Sequence, residues 1–277
     1  MRDPLWLKGL VIGLAVGFMG MMLVLPLVTV FAEALRRGVG VFAAAIGEPD
    51  ALAAIQLTLT VVLIVVPLNT MFGIAAAWAV TRFEFWGKTA LLTVIDLPFS
   101  ISPVISGLVF VLLYGAHGWF GPTLEAWGIE VIFTVTGVIL ATLLVTMPFV
   151  ARELIPLMQS QGADEEAAGV TLGATPFSIF FKVTLPNIKW ALTYGVLLCS
   201  ARAMGEFGAV AVVSGHIRGE TATMPLHVEI LYNEFSFTAA FAVAALLALF
   251  SLVTLAVKTL LEGKVAADLS GHRRPQL

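Results

Sequence analysis

The sequence predicts an all-α polytopic membrane protein that crosses a bilayer six times, with both termini cytoplasmic. Three observations carry that prediction. Of the 277 residues, 59% are hydrophobic and only 12% are charged, against about 25% charged in an ordinary soluble domain. The apolar residues gather in runs long enough to cross roughly 30 Å of hydrocarbon at about 1.5 Å per residue. Lysines and arginines concentrate in alternate connections between the runs, as the positive-inside rule requires. Lipid offers the backbone no hydrogen-bond partner, so each run must be helical. A net charge of −3 gives no argument for nucleic acid, and the single cysteine, Cys199, excludes an intrachain disulfide.

The expected spans are residues 9–33, 54–81, 89–115, 131–150, 190–213 and 238–261. The first could be mistaken for a signal peptide, since Arg2 and Lys8 precede it and Ala32-Glu33-Ala34 imitates a cleavage site. Its apolar run from Gly9 to Phe31 exceeds the roughly 7–15 residues of such a signal, which predicts a retained helix. Residues 34–53 and 116–130 read as short external connections. The third span is irregular: Asp96, Pro98 and Pro103 interrupt it around LPFSISP. This predicts two half-helices joined by an unwound turn, tolerated at membrane depth only inside protein or beside a water-filled cavity. Asp96, Ser100 and Ser102 are therefore candidate pathway residues.

Orientation follows from charge. Arg2, Lys8, Arg82, Lys88, Arg152, Lys182, Lys189, Lys258, Lys264, Arg273 and Arg274 fall on the side of the N-terminus, and Arg36, Arg37 and Arg218 on the other. The polar stretch 152–189 then lies inside the cell. Its chemistry predicts a helix–turn–helix. Asp164, Glu165 and Glu166 suit the N-terminus of a short helix, and Gly173 can take the left-handed conformation that ends it. Thr175 caps a second helix with Pro176 in its first position, and Leu185-Pro186 ends that helix before the next span.

In the fifth span, Arg202 and Glu206 stand four apart on one helical face near the bilayer centre. Intramembrane charges face the bundle interior or a water-filled path. The two could form a structural pair, a gate, or a substrate contact. Ser214 is a further candidate for the pathway or gate, and Thr60 a weaker one. His117, His216, His227 and His272 scatter over external loops and the tail without metal-ligand spacing. Arg218, Glu220, Glu229 and Glu234 make a mixed-charge external loop. Residues 1–265 read as one membrane domain containing the 152–189 loop, and residues 266–277 as a flexible cytoplasmic tail.

The segment EAAGVTLGATPFSIFFKVTLP, residues 166–186, resembles the coupling motif of ABC-importer permeases: EAA, three residues, Gly, nine residues, Ile-x-Leu-Pro. Gly173 stands nine residues before Val183-Thr184-Leu185-Pro186, whereas Glu166 lies seven residues before Gly173 where the pattern has six. Three further segments, ARAMGEFGAVAVVSGHIRGETATMPLHVEILYNEF, DLPFSISPVISGLVF and LPNIKWALTYGVLL, are similar to the W-type permeases of sulfate/thiosulfate importers. Molybdate and tungstate permeases carry a related Ala-Arg-Ala-x-Gly-Glu-Phe-Gly pattern.

The resemblance implies the transmembrane domain of a type I ABC importer in the bacterial cytoplasmic membrane. Its partners would be a homologous T-type permease, two copies of an ATPase subunit and a periplasmic sulfate/thiosulfate-binding protein. ATP and Mg would be bound by the partner ATPase, with no cofactor, catalytic or metal site in this chain, which has no GxxxxGK[ST] loop. Glu165, Glu166, Ala167, Ala168, Gly173, Ala174, Thr175, Leu185 and Pro186 would couple to the ATPase. An ion-coupled secondary transporter is the rival of a different class; such folds show pairs of matching broken helices, and one broken span is evident in the sequence.

Overall fold

A computed structural model describes residues 5–271. The first helix, α1 (Leu5–Leu35), keeps its apolar side chains outward along its length, as a lipid-facing helix should, and lies against the last, α14 (Phe237–Gly271). Between them come α2 (Val39–Ile46), α3 (Pro49–Arg82), α4 (Lys88–Ser100), α5 (Pro103–Tyr114) and α6 (Gly121–Ala126). Then follow α7 (Val135–Thr146), α8 (Pro148–Gln161), α9 (Asp164–Thr171), α10 (Pro176–Ile179), a π-helical turn (Phe180–Thr184), α11 (Leu185–Met204), α12 (Gly208–Val213) and α13 (Met224–Asn233). Helix α14 continues past the expected boundary at 265; residues 272–277 of the expected tail lie outside the described residues.

Among the described residues, four helices are long and apolar enough to cross a membrane: α1, α3, α7 with α8, and α14, or five with α4 and α5 as one span. Three differences from the sequence reading matter. The expected fourth span, 131–150, becomes Val135–Gln161, because Pro148 sits in the first turn of α8, where its missing N–H costs nothing. Arg152 is therefore on a spanning helix and not in a loop. The expected fifth span is two helices, α11 and α12, with Gly205–Phe207 irregular between them. Helix α11 can be more polar than a lipid-exposed span because it packs on α8 and α3, burying Gly195 and Cys199. Third, Leu185-Pro186 does not end a helix. Helix α10, the π turn and α11 run on without interruption from Pro176 to Met204. The wider turn falls just before Pro186, whose ring would clash with the carbonyl one regular turn earlier.

Small residues set the centre of the bundle. A Cβ on Gly73 of α3 would come within 2.6 Å of Val150 Cβ, and one on Gly195 of α11 within 3.1 Å of Val150 Cα. Such close approach is how membrane helices associate without a hydrophobic driving force between them. Asn69 of α3, fully buried, donates to Thr146 Oγ1 at 2.8 Å and to the Leu143 carbonyl at 3.2 Å. This polar tie joins α3 to α7. About three turns nearer the N-terminus of α3, Thr58 Oγ1 accepts from the Met224 N–H at 2.8 Å and fixes the start of α13 on α3.

Candidate functional site

The 152–189 segment builds a protrusion from short-range rules. Helix α9 opens with Asp164, Glu165 and Glu166 in its first turn, and Gly173 closes it at φ 78°. The Ala174 N–H reaches back to the Gly169 carbonyl at 3.0 Å and the Gly173 N–H to Val170 at 2.9 Å, a Schellman-type stop. Thr175 Oγ1 then accepts from the Ser178 N–H at 3.3 Å, with Pro176 next in line. Buried Ile179 packs on Gly169, where an added Cβ would lie 3.2 Å from its Cγ1.

The tip presents apolar side chains to the outside. Leu172 is 87% exposed and Phe177 77%, with Val170 and Phe181 also exposed. Ala167, Ala168 and Thr175 are exposed beside them, and Ala174 is half-buried. Nothing in the chain's pattern of spans marked Leu172 and Phe177 as tip residues; their placement depends on which way the Gly173 turn faces them.

Glu166 points the other way. Arg82, the last residue of α3, grips it through two nitrogens, Nε–Oε2 at 2.7 Å and Nη2–Oε1 at 3.3 Å. Thr184 Oγ1 donates to Glu166 Oε1 at 2.8 Å, and Arg82 Nη1 to the Met158 carbonyl at 3.1 Å. Asn187 Nδ2 donates to Glu165, and Gln161 Nε2 to the Asn187 carbonyl at 3.3 Å. The two carboxylates thus fasten α9 to the end of α3 and to the continuous Pro176–Met204 helix, a rod leading from the protrusion into the bundle, while Arg82 and Asn187 in turn bond α8. The pair Arg82–Glu166 is nearly closed to solvent, so this acid braces the protrusion from within. The sequence offered Arg82 only as an inside-facing charge.

At the other end of the rod, Arg202 Nη1 lies 2.6 Å from Glu206 Oε2. Spacing placed the two on one helical face, but Arg202 lies in the last turn of α11 and Glu206 in the Gly205–Phe207 break beyond it. The carboxylate, 1% exposed, also accepts from the Ala209 N–H at 2.9 Å and so caps α12. The break in α4–α5 meets this one. The half-helices α4 and α5 turn through 112° at Ile101–Ser102, and α5 packs on α12 at glycines. An added Cβ on Gly208 would lie 3.0 Å from Pro103 Cβ, and one on Gly107 2.6 Å from the Ala209 carbonyl.

Ser100 and Ser102 are exposed at this joint. Ser214 is not: it is fully buried, its hydroxyl accepts from the His216 N–H at 3.2 Å, and its carbonyl accepts from Thr221. It ends α12 and lines no path. Thr60 bonds its own helix at the Gln56 carbonyl, 2.8 Å away. Asp96 and Pro98 lie inside α4 and do not break it; Asp96 Oδ1 lies 3.1 Å from Arg152 Nε.

On the external side, Arg218 ties Asp50 of α3, at 3.8 Å, to Glu234 after α13, with which it also makes a close contact. His216 lies 3.2 Å from Glu229. His227 is not in a loop. It is buried on α13 with neither ring nitrogen hydrogen-bonded, and burial holds its pKa below the ordinary 6.5 despite the nearby acids Asp50, Glu48 and Glu234.

Comparison with known proteins accounts for this geometry. A family model described as "Binding-protein-dependent transport system inner membrane component" matches residues 69–267. The chain is 51% identical to the sulfate transport system permease protein CysW of Synechocystis sp. over 267 residues, covering 96% of this chain and 95% of that one. It is 45% identical to CysW of Escherichia coli over 94% of this chain and 89% of that one. Identity is 32% to Escherichia coli CysT, over 94% of each chain. A bacterial ABC transporter that imports alginate shares the fold, with TM-score 0.76 and 18% identity over 94% of each chain. The multi-pass membrane chain described here belongs to the family of binding-protein-dependent transport system inner membrane components.

Proposed function

We propose that the chain is the W-type permease subunit of an ATP-driven importer that carries sulfate, and thiosulfate with it, across the bacterial cytoplasmic membrane. One observation carries the mechanical part: the exposed apolar tip of α9–α10 stands on a helix continuous from Pro176 to Met204 that ends where α12 meets the broken α4–α5 span. The tip seats in a partner ATPase, two copies of which bind ATP and Mg. Their closure moves the rod, and the rod shifts the α5–α12 contact at Gly107 and Gly208. A T-type permease completes the path, and a periplasmic binding protein delivers the anion. Residues 1–265 act as one membrane domain whose 152–189 segment is the coupling element. The substrate follows from the names of relatives 45–51% identical over nearly the whole chain.

Transport fits the chemistry at the joint. A dianion leaving water needs several donors, and hydroxyls and freed N–H groups supply them without trapping it through excess charge. Ser100, Ser102 and the partly exposed Arg202 stand at that level. Among the described residues one bent pair of half-helices, α4 and α5, makes a broken span, and family membership also disfavours a secondary transporter. The test is uptake of labelled sulfate by the assembled complex in proteoliposomes. ATP-dependent sulfate accumulation is expected. Molybdate uptake without sulfate uptake would overturn the substrate.

A further inference from the structure

Arg152 takes no part in the bracing of the protrusion or in the α5–α12 contact, and its surroundings are unusual for a spanning helix. Its guanidinium stacks on the Phe99 ring, 4.7 Å from the centroid, and its Nε lies 3.1 Å from Asp96 Oδ1. Its terminal nitrogens make no hydrogen bond among the described residues. Both charged side chains are about half exposed. Ions on a membrane helix that faced hydrocarbon would be expensive, so this side of α4 and α8 faces water or protein. Position along α4 places the pair relative to the joint. Asp96 precedes the Ile101 break by five residues, or about 8 Å at roughly 1.5 Å per residue, and Phe99 packs on Phe149 of α8 between them. The chain enters α4 from the cytoplasmic end, so the pair lies on the exit side of the break.

We infer that Arg152 is a second oxyanion station on the exit side of the broken-helix joint, held in readiness by Asp96. The inference rests on the proposed import of a tetrahedral dianion. Phe99 fixes the guanidinium plane, and the free Nη edge presents the paired donors that bind two oxygens of such an anion. Asp96 competes for the same arginine. It keeps the cation from retaining the anion and repels it onward once Arg152 returns to the carboxylate. Arg202 and Glu206 repeat the arrangement at the joint itself, so the path would offer two arginines in series, each restrained by an acid.

The test uses the whole complex in proteoliposomes, with labelled sulfate uptake and ATP hydrolysis measured together and assembly checked by co-purification. Arg152→Gln should lower sulfate uptake roughly ten- to a hundredfold, the loss expected on removing a charged donor, while binding-protein-stimulated ATP hydrolysis stays within about twofold. Asp96→Asn leaves the arginine in place and should lower both KM and kcat for sulfate as the anion lingers. The double variant Asp96→Asn/Arg152→Gln should transport no better than Arg152→Gln. Recovery in the double variant would mean that the pair only holds helices together or seats the partner permease, and would overturn the inference. Unchanged kinetics in Asp96→Asn would also overturn it, including if Arg152→Gln fails to assemble. A wild-type complex that moves no sulfate would instead refute the proposed function, and the same variants read with molybdate would still decide the station.

Discussion

Single residues do two separate jobs at the Arg202–Glu206 contact. Glu206 neutralises the arginine and caps α12 at the Ala209 N–H, so it cannot be exchanged for a neutral residue as freely as Arg202. Removing one partner of a fully buried pair costs about 3–5 kcal/mol because the other charge is left behind, and the partial exposure of Arg202 lowers the cost here. Arg202→Gln and Glu206→Gln should therefore each lower the detergent melting temperature and uptake. The double variant should recover only part of the loss, because the cap is still weakened. Full recovery would show that Glu206 acts through its charge alone. His227 gives a second prediction at this scale. Its folded pKa lies below the unfolded value of 6.5, so the unfolded chain binds the extra proton first. Stability is complete at neutral pH and falls as pH drops through the unfolded value. Melting of the purified complex between pH 7.5 and 5.5, values spanning that window by about a unit each way, should show the loss, and His227→Leu should flatten it. From sequence, His227 looked like a loop histidine because a ten-residue helix over an external connection leaves little periodicity to find.

At the scale of elements, local chemistry was legible where it is self-contained. The acidic start of α9, the Gly173 stop and the Thr175–Pro176 start follow from capping rules that need no tertiary information, and each stands where the residues put it. Elements that depend on their neighbours were not legible. Helix α11 continues through Pro186 because a π turn absorbs the misfit, and α8 continues past Val150 because α3 and α11 close on it. The break after Met204 is set by Glu206 turning to cap α12, which spacing four apart cannot distinguish from an ordinary helical pair. Gly173 supplies the element-scale prediction. A Cβ there would meet nothing within 4 Å, so the obstacle is the positive φ and not space. Gly173→Leu should cost about 1–2 kcal/mol of local backbone strain and open the α9–α10 turn. The spans should melt nearly as before, while ATP hydrolysis proceeds with little transport. Normal uptake by this variant would count against a stiff coupling turn.

For the whole molecule, the arrangement is a lever. Arg82, Glu166 and Thr184 brace the tip against α3 and the rod, so a push on Leu172 or Phe177 is not lost in bending the loop. The uninterrupted helix from Pro176 to Met204 carries the push about 40 Å at roughly 1.5 Å per residue, more than the thickness of the hydrocarbon. At the far end the helices meet through glycines and short turns, which can slide where bulky side chains would lock. Helix α1 stands outside this train and faces lipid with apolar side chains, while α14 buries Ala240, Ala242 and Val243 against the bundle, packs on α13 and α11, and exposes apolar side chains farther along. Rigidity is concentrated between the tip and the joint, and compliance at the joint itself.

The most direct measurement of this lever is accessibility at its tip. Leu172→Cys in a Cys199→Ser background carries one thiol at the most exposed large apolar residue of the protrusion. With a membrane-impermeant thiol reagent, a cytoplasmic lever predicts labelling in inverted membrane vesicles alone, and protection when the ATPase subunit is bound. Labelling of right-side-out vesicles, or equal labelling with and without the ATPase, would contradict it.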